Sequence, residues 1–444
     1  MPSPHPPAAD EAAAPVAATA PRGALIVIFL TVFIDLLGFG IVLPVMPRQA
    51  GVYLQALGLP PAAEGTIIGV LFSVFSLMQF LFSPWWGRVS DAIGRRPVLI
   101  VSLAGSVIFY ALYGLAVTLP PERGALAIGL MLLSRIGAGI AGASVGTAAA
   151  VIADCTPPER RAGGMALIGI AFGAGFTLGP LIAYFGLRLF AEKPWGVGAL
   201  ASLLSLVALV FALVVFKETR VPGNRAGREL PSAARTRAVL SMPAVGPLVL
   251  VYFLSIFAFA NFEATLARFT QEAFGLTDNG NFLVFASIGA VLMLAGGAYR
   301  PLSKRLPESR LLAIGLALLI AGMTGLGFVA LAVYRSEVGA VAVPPVVRWL
   351  FHLAAAAAVV GFAFVNPSVS SLISRRADPA RQGEVLGVNQ SFASLGRILG
   401  PFAGSILFSL SDSRTLPYAV AVAVLCLVAT LLPRITRAAE SPGG

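Results

Sequence analysis

Apolar and polar positions alternate along this chain on one long period. Runs of about 20 residues with almost no charge are separated by short segments carrying Pro, Gly and Arg. Twelve such runs are legible, near 24–46, 65–86, 98–118, 125–150, 164–186, 197–216, 246–269, 281–300, 310–332, 345–373, 385–410 and 416–433. Roughly 20 apolar residues in a helix cross about 30 Å of hydrocarbon, so the pattern predicts an all-α polytopic membrane protein with twelve transmembrane helices. The connections are too short to hold a soluble domain. One is longer than the rest, KETRVPGNRAGRELPSAARTR at 217–237, and it divides the spans six and six. The expected organisation is a disordered tail at 1–22, a six-helix bundle at 23–216, a linker at 217–243, a second bundle at 244–434 and a tail at 435–444.

Composition agrees with that reading. Of the 444 residues 57% are hydrophobic and only 11% charged, and the mean hydropathy is +0.88. A net charge of +11 would suit a nucleic-acid binder, but its placement says otherwise. Counted over the loops, 21 Arg and Lys fall on the face shared by both termini and eight on the other, the bias that holds basic loops in the cytoplasm. Both termini are therefore expected in the cytoplasm, in a cell membrane of prokaryotic type, with no nucleic-acid partner. The first 22 residues lack the basic start and apolar core of a secretory signal, and read as a solvated tail.

Chemistry-bearing clusters are missing from the sequence. Cys155 and Cys426 have neither metal nor disulfide spacing, the two histidines lie far apart, and HExxH does not occur. Neither a pore-lining repeat nor a filter loop suggests a channel. The expectation is a protein that is not an enzyme and uses no cofactor or metal.

An internal repeat is visible instead. ERRAGGMALIGIAFGAGFTLGP (159–180) matches ARQGEVLGVNQSFASLGRILGP (380–401) at an offset of 221, aligning Arg160 with Arg381, Gly175 with Gly396, and Gly179-Pro180 with Gly400-Pro401. Each copy begins a helix from the same basic face, so the halves are parallel repeats related by an axis along the membrane normal. A weaker echo relates GRVSDAIGRR (87–96) to GAYRPLSKRL (297–306), which keeps the basic residues but has no acid.

These motifs resemble a known family. GRVSDAIGRRPVLI (87–100) resembles the loop 2–3 signature of the major facilitator superfamily through Gly87, Asp91, Gly94, Arg95 and Arg96, with Ala92 where a basic residue is usual. SRIGAGIAGA (134–143) is similar to its span-four signature. GAGFTLGPLIA (173–183) is similar to its antiporter motif through Gly175, Gly179 and Pro180, although Ala183 departs from it. FIDLLGFGIVLPVMP (33–47) resembles the first span of the twelve-helix drug:proton antiporters, tetracycline exporters and tetracycline-transporter-like proteins among them. The resemblance implies two pseudo-symmetric six-helix bundles working by alternating access. It also implies a latch on the cytoplasmic side, with Asp91 facing the start of span eleven near Glu384 and Arg95 paired with Asp154. Physically, Gly87 and Gly94 would let a tight turn form between antiparallel spans. The bland alternative for the arginines is that they only fix topology.

Four ionisable residues fall inside spans: Asp35, Arg135, Glu263 and Arg397. Each costs about 2.5 kcal/mol or more at a helix centre, which marks function by default. A carboxyl removed from water can take up and release a proton near neutral pH, as a proton-coupled exporter needs. Asp35 and Glu263 are the candidates, against the alternatives that Asp35 only pairs with an arginine and that Arg268 only neutralises Glu263. Arg135 reads as a fixed cation tuning a carboxyl, Arg397 as the same or as a binder of anionic substrate, and His352 as structural. Phe39, Phe259, Asn261, Asn366, Asn389 and Gln390, with Phe257 and Phe392, are the candidate cavity lining, aromatic enough for amphiphiles rather than sugars. The expected function is export of drug-like amphiphiles by a monomer in exchange for protons. The alternative is a carrier of organic anions or metabolites without obligatory proton coupling.

Overall fold

A computed structural model describes residues 26, 29–30, 33–34, 37–38, 40–155, 161–219, 233–340, 342–378 and 382–433, with the side chains at 145–146, 149, 153–154, 161–170, 172, 176, 233, 235 and 382–383 outside that description. Described residues from Ile26 onward are helical and lead into α1 (Met46–Ala56). There follow α2 (Pro61–Ile93), α3 (Arg95–Ala116), α4 (Gly124–Gly142), α5 (Val145–Cys155), α6 (Arg161–Gly186), α7 (Gly196–Val215) and a short α8 (Ala233–Leu240). The second half comprises α9 (Gly246–Phe274), α10 (Asp278–Leu302), α11 (Glu308–Val338), α12 (Pro345–Arg376), α13 (Gln382–Leu410) and α14 (Leu416–Ala429). Among the described residues there is no strand, and ten spans are long and apolar enough to cross a membrane. The last expected span appears as the 14-residue α14, about 21 Å at 1.5 Å per residue.

Two local outcomes differ from the hydropathy pattern. The expected single span at 125–150 is two helices, because the amides of Ala143 and Ser144 bond three residues back, to Ile140 and Ala141. The Ser102 hydroxyl of α3 donates to the same Ala141 O at 2.6 Å and lies 2.8 Å from Ser144 Oγ, a side chain inserted at the break. Secondly, the loop expected between 86 and 98 is hardly a loop. α2 runs to Ile93, Gly87 sits inside it with open space where a Cβ would go, and the whole turn is Gly94 at φ 111°. Only a residue without a Cβ adopts that backbone at little cost.

Packing reveals the duplication. Within the first half α3 lies between α4 and α7, and α2 packs on α4; within the second, α11 packs on α12, and α9 on α12, α13 and α14. Two helix pairs carry most of the join between the halves, α2 with α13 and α6 with α10. These are spans two with eleven and five with eight, which a two-fold axis along the membrane normal exchanges. The repeated Gly-Pro motifs do equivalent work on both sides of that axis. A Cβ at Gly179 would meet Gly40 Cα at 3.1 Å and Leu37 O at 3.2 Å; one at Gly400 would meet Phe257 O at 2.6 Å and Ala260 Cβ at 2.9 Å. Spans five and eleven thus touch spans one and seven backbone to backbone, as small residues allow within a bilayer.

Candidate functional site

The turn at 87–96 is built from its charges upward. Arg95, buried at the first position of α3, donates from Nη1 to Asp91 Oδ1 at 2.5 Å and to Ser90 Oγ at 2.7 Å. The backbone amides of Arg95 and Arg96 point out of the α3 N-terminus and need acceptors. Glu218 supplies both, at 2.9 and 3.0 Å, and its carboxylate also faces the positive end of the α3 dipole. Arg96 Nη2 reaches back to Leu213 O of α7 at 2.9 Å. A Cβ on Gly94 would overlap the Glu218 carboxylate, so Gly94 is required by contact as well as by φ. Asp154 lies in α5, its side chain outside the described residues.

The second half holds its counterpart with the signs exchanged. Glu308, in the first turn of α11, accepts from Arg375 Nη2 at 2.7 Å and from the Ser371 hydroxyl at 3.2 Å. Under the 221-residue offset Arg375 stands where the first half has Asp154. The acid missing from the 297–306 echo is therefore two residues beyond it. Glu218 went unread in the sequence because it sits in the segment taken as linker; an acid directly after a span and beside Lys217 was the available signal.

Charges on the opposite face join the halves instead. Arg48 Nη1 contacts Asp278 Oδ1 at 2.9 Å, and Asn279 Nδ2 donates to Glu192 Oε1 at 2.9 Å. Thr277 caps α10 through the Gly280 amide and so fixes where Asp278 and Asn279 stand. On the Arg48 side, the Tyr113 hydroxyl donates to Gln49 Oε1 at 2.6 Å, and Gln49 Nε2 to Pro194 O at 3.2 Å. Sequence reasoning passed over this set, since each charge lay singly in a different loop.

Intramembrane candidates lie near the middle of the spans. Arg135 is buried in α4, its Nε 3.3 Å from Leu71 O and its guanidinium 4.5 Å from the centre of the Phe75 ring. Ser73 of the same α2 stretch donates to Ile398 O at 2.6 Å, beside Arg397 of α13. Each half therefore carries one arginine within its spans. Glu263 of α9 and Arg397 are each half-buried and lie within each other's electrostatic range. Asp35 and Phe39 lie outside the described residues.

The proposed lining is dispersed rather than gathered. Phe259 stacks on Phe362 at 3.9 Å within the second half. Asn261 is fully buried against Gly404 and donates to Pro417 O of α14 at 3.1 Å. Asn366 and Asn389 each keep an amide oxygen without a partner among the described residues, and Gln390 is exposed.

Comparison with known proteins now decides the family. The chain matches the family model of the Major Facilitator Superfamily over residues 28–401, and again over 338–444. The chain belongs to the major facilitator superfamily. As a superfamily member it is a multi-pass integral membrane protein that transports small molecules, and its family and fold are those of transporters rather than of enzymes. It is 31% identical over 461 residues to the bovine major facilitator superfamily domain-containing protein 10, covering 94% of this chain and 93% of that one. It is 32% identical over 394 residues to the class E tetracycline resistance protein of Escherichia coli, covering 87% of each. The crystal structure of the human organic anion transporter MFSD10 (TETRAN) superposes with a TM-score of 0.60 at 27% identity, covering 93% of this chain and 99% of that one. The Asp91–Arg95 turn and the Gly179-Pro180 and Gly400-Pro401 contacts lie within single halves, on the helices α2, α6 and α13 that also meet the other half.

Proposed function

We propose that this transporter exports amphiphilic small molecules in exchange for protons, by alternating access between two six-helix halves, 23–216 and 244–434. The observation that carries the proton arm is Glu263. It is a half-buried carboxylate in the best buried span, α9, with no hydrogen bond or ion pair to a described residue and Arg397 within electrostatic reach. An acid so placed carries a proton through a cycle more readily than one held in a fixed pair. Asp35, by its position in the first span, is the second carrier, and Arg135 the cation that tunes it. The Asp91–Arg95 turn, with Asp154, acts as the latch when the basic face closes. We place that face in the cytoplasm of a prokaryotic-type cell, with both termini on it, and the working unit as a monomer. The similarity to tetracycline resistance proteins supports export of drug-like molecules.

A test is dye or antibiotic accumulation in proteoliposomes driven by a pH gradient. Glu263→Gln should abolish gradient-driven accumulation while leaving binding measurable. Uptake that ignores both the gradient and the substitution would overturn proton coupling.

The second reading is a carrier of organic anions without obligatory proton coupling. It is favoured by the intramembrane arginines Arg135 and Arg397, one in each half, and by the similarity to the human organic anion transporter MFSD10. Under it, anionic substrate would exchange at equal rates with and without a pH gradient.

A further inference from the structure

Arg135 and Arg397 are both intramembrane arginines, yet they are held in different ways. Arg135 already has a carbonyl at Nε and an aromatic ring under its guanidinium. Arg397 has no hydrogen bond or ion pair to any described residue, and neither has Glu263, although Tyr252 of α9 also lies within electrostatic range of Arg397. Their charged atoms lie further apart than the 4.0 Å of an ion pair. Two opposite charges kept in the middle of spans but not allowed to meet is a costly arrangement for a helix bundle to maintain.

Helical register places both on one interface. Contacts at Gly396, Gly400 and Gly404 mark the face of α13 that α9 covers, and their partners are Phe253, Ile256, Phe257, Ala260 and Asn261. Arg397 is three residues before Gly400 and seven before Gly404, so it shares that face; Glu263 is three after Ala260 and seven after Ile256, so it shares the facing one. Along the axis Arg397 stands level with Ile256–Phe257. Glu263 is six or seven residues further on, on the order of 10 Å of helix rise. Each side chain also keeps some accessible surface in the best buried span of the protein or beside it.

We propose that Glu263 and Arg397 are the two ends of a binding site for an amphoteric ligand, whose anionic group sits on Arg397 and whose cationic or N–H donor group sits on Glu263. The proposal rests on the reading of this chain as an exporter of amphiphiles and specifies their charge: both signs in one molecule, several ångströms apart. A simple anion would leave Glu263 facing it with like charge, and a simple cation would leave Arg397 in the same position. Arg135 does not compete for the anionic end, since its own partners are in place.

The test uses the full chain in lipid nanodiscs and three matched dyes: the rhodamine zwitterion with a free carboxylate and amino groups, its cationic methyl ester, and anionic fluorescein. Fluorescence anisotropy should show the zwitterion bound about tenfold more tightly than either singly charged form, the size of one charge-assisted hydrogen bond. Arg397→Gln should weaken the zwitterion about tenfold and strengthen the cationic ester, whose charge the guanidinium opposes. Glu263→Gln should weaken the zwitterion about tenfold and strengthen fluorescein, whose charge the carboxylate opposes. Equal binding of the three dyes by the unsubstituted protein overturns the proposal, and so does a variant that weakens all three alike. Should a variant fail to insert, the dye series on the unsubstituted protein still decides. Gradient-driven accumulation of any dye without zwitterion preference removes this site and leaves the exporter reading standing. Zwitterion preference without gradient-driven accumulation does the reverse.

Discussion

On the Arg48 face, Arg48–Asp278 and Asn279–Glu192 tie one half of the chain to the other, whereas on the basic face Asp91–Arg95 and Glu308–Arg375 each close within a half. The Asp91–Arg95 and Glu308–Arg375 pairs each stay inside their own bundle. A contact within a half travels with it as a rigid body, but a contact between halves must break when they rock. The Arg48 face therefore carries ion-pair and hydrogen-bond contacts between the halves, while the Asp91–Arg95 pair at the 87–96 turn shapes the first half. The comparison separates two kinds of effect. Substitutions on the basic face should change stability or the other state, and those on the Arg48 face should change the balance between states.

The largest effect expected is at the turn. Gly94→Ala forces a Cβ into a backbone at φ 111° and against Glu218, costing about 2–3 kcal/mol. It should appear as a clear fall in the thermal unfolding midpoint in detergent; an unchanged midpoint would mean that the turn can relax. Next comes Asp91→Asn. If Asp91 latches the halves when the basic face closes, transport should fall about tenfold, while the unfolding midpoint moves little, since the lost pair is local and Asp91 is partly exposed. Unchanged transport would reduce the turn to a topology signal. Glu218→Gln keeps the shape and removes the charge at the α3 N-terminus, for about 1 kcal/mol. It should lower the midpoint slightly and leave the distance between halves alone. The smallest effect is Arg48→Gln combined with Asp278→Asn. The two side chains are 41% and 22% exposed, so the pair is worth up to about 1 kcal/mol, or roughly a fivefold shift between states. Spin-label distances across the Arg48 face should show each single variant more open and the double no worse than either. Additive opening in the double would show that the pair is not the clasp.

Much of this was legible in the sequence, and what was missed has a common cause. Hydropathy locates spans because burial in hydrocarbon is a local requirement, and the 221-residue repeat locates the Gly-Pro contacts because the same backbone approach is needed twice. Neither reveals which loop charge meets which. Glu218, Glu308 and the Arg48–Asp278 pair act through partners tens to hundreds of residues away, so each reads alone as an ordinary solvated charge. The cavity residues fared differently: Phe259 and Asn261 are polar or aromatic enough to line a cavity, but the structure uses them to pack α9 against α12, α13 and α14. Residue type alone does not distinguish these uses.

Glu218 also sets where this protein can be divided. Cutting after Val215, the end of α7, would keep every span of the first half yet remove the acid that receives the amides of Arg95 and Arg96. A first half intended to fold separately and be co-expressed with the second should carry its own chain through Thr219, whose amide also bonds the Glu218 carboxylate at 3.1 Å. That end lies beyond the helix end that hydropathy marks.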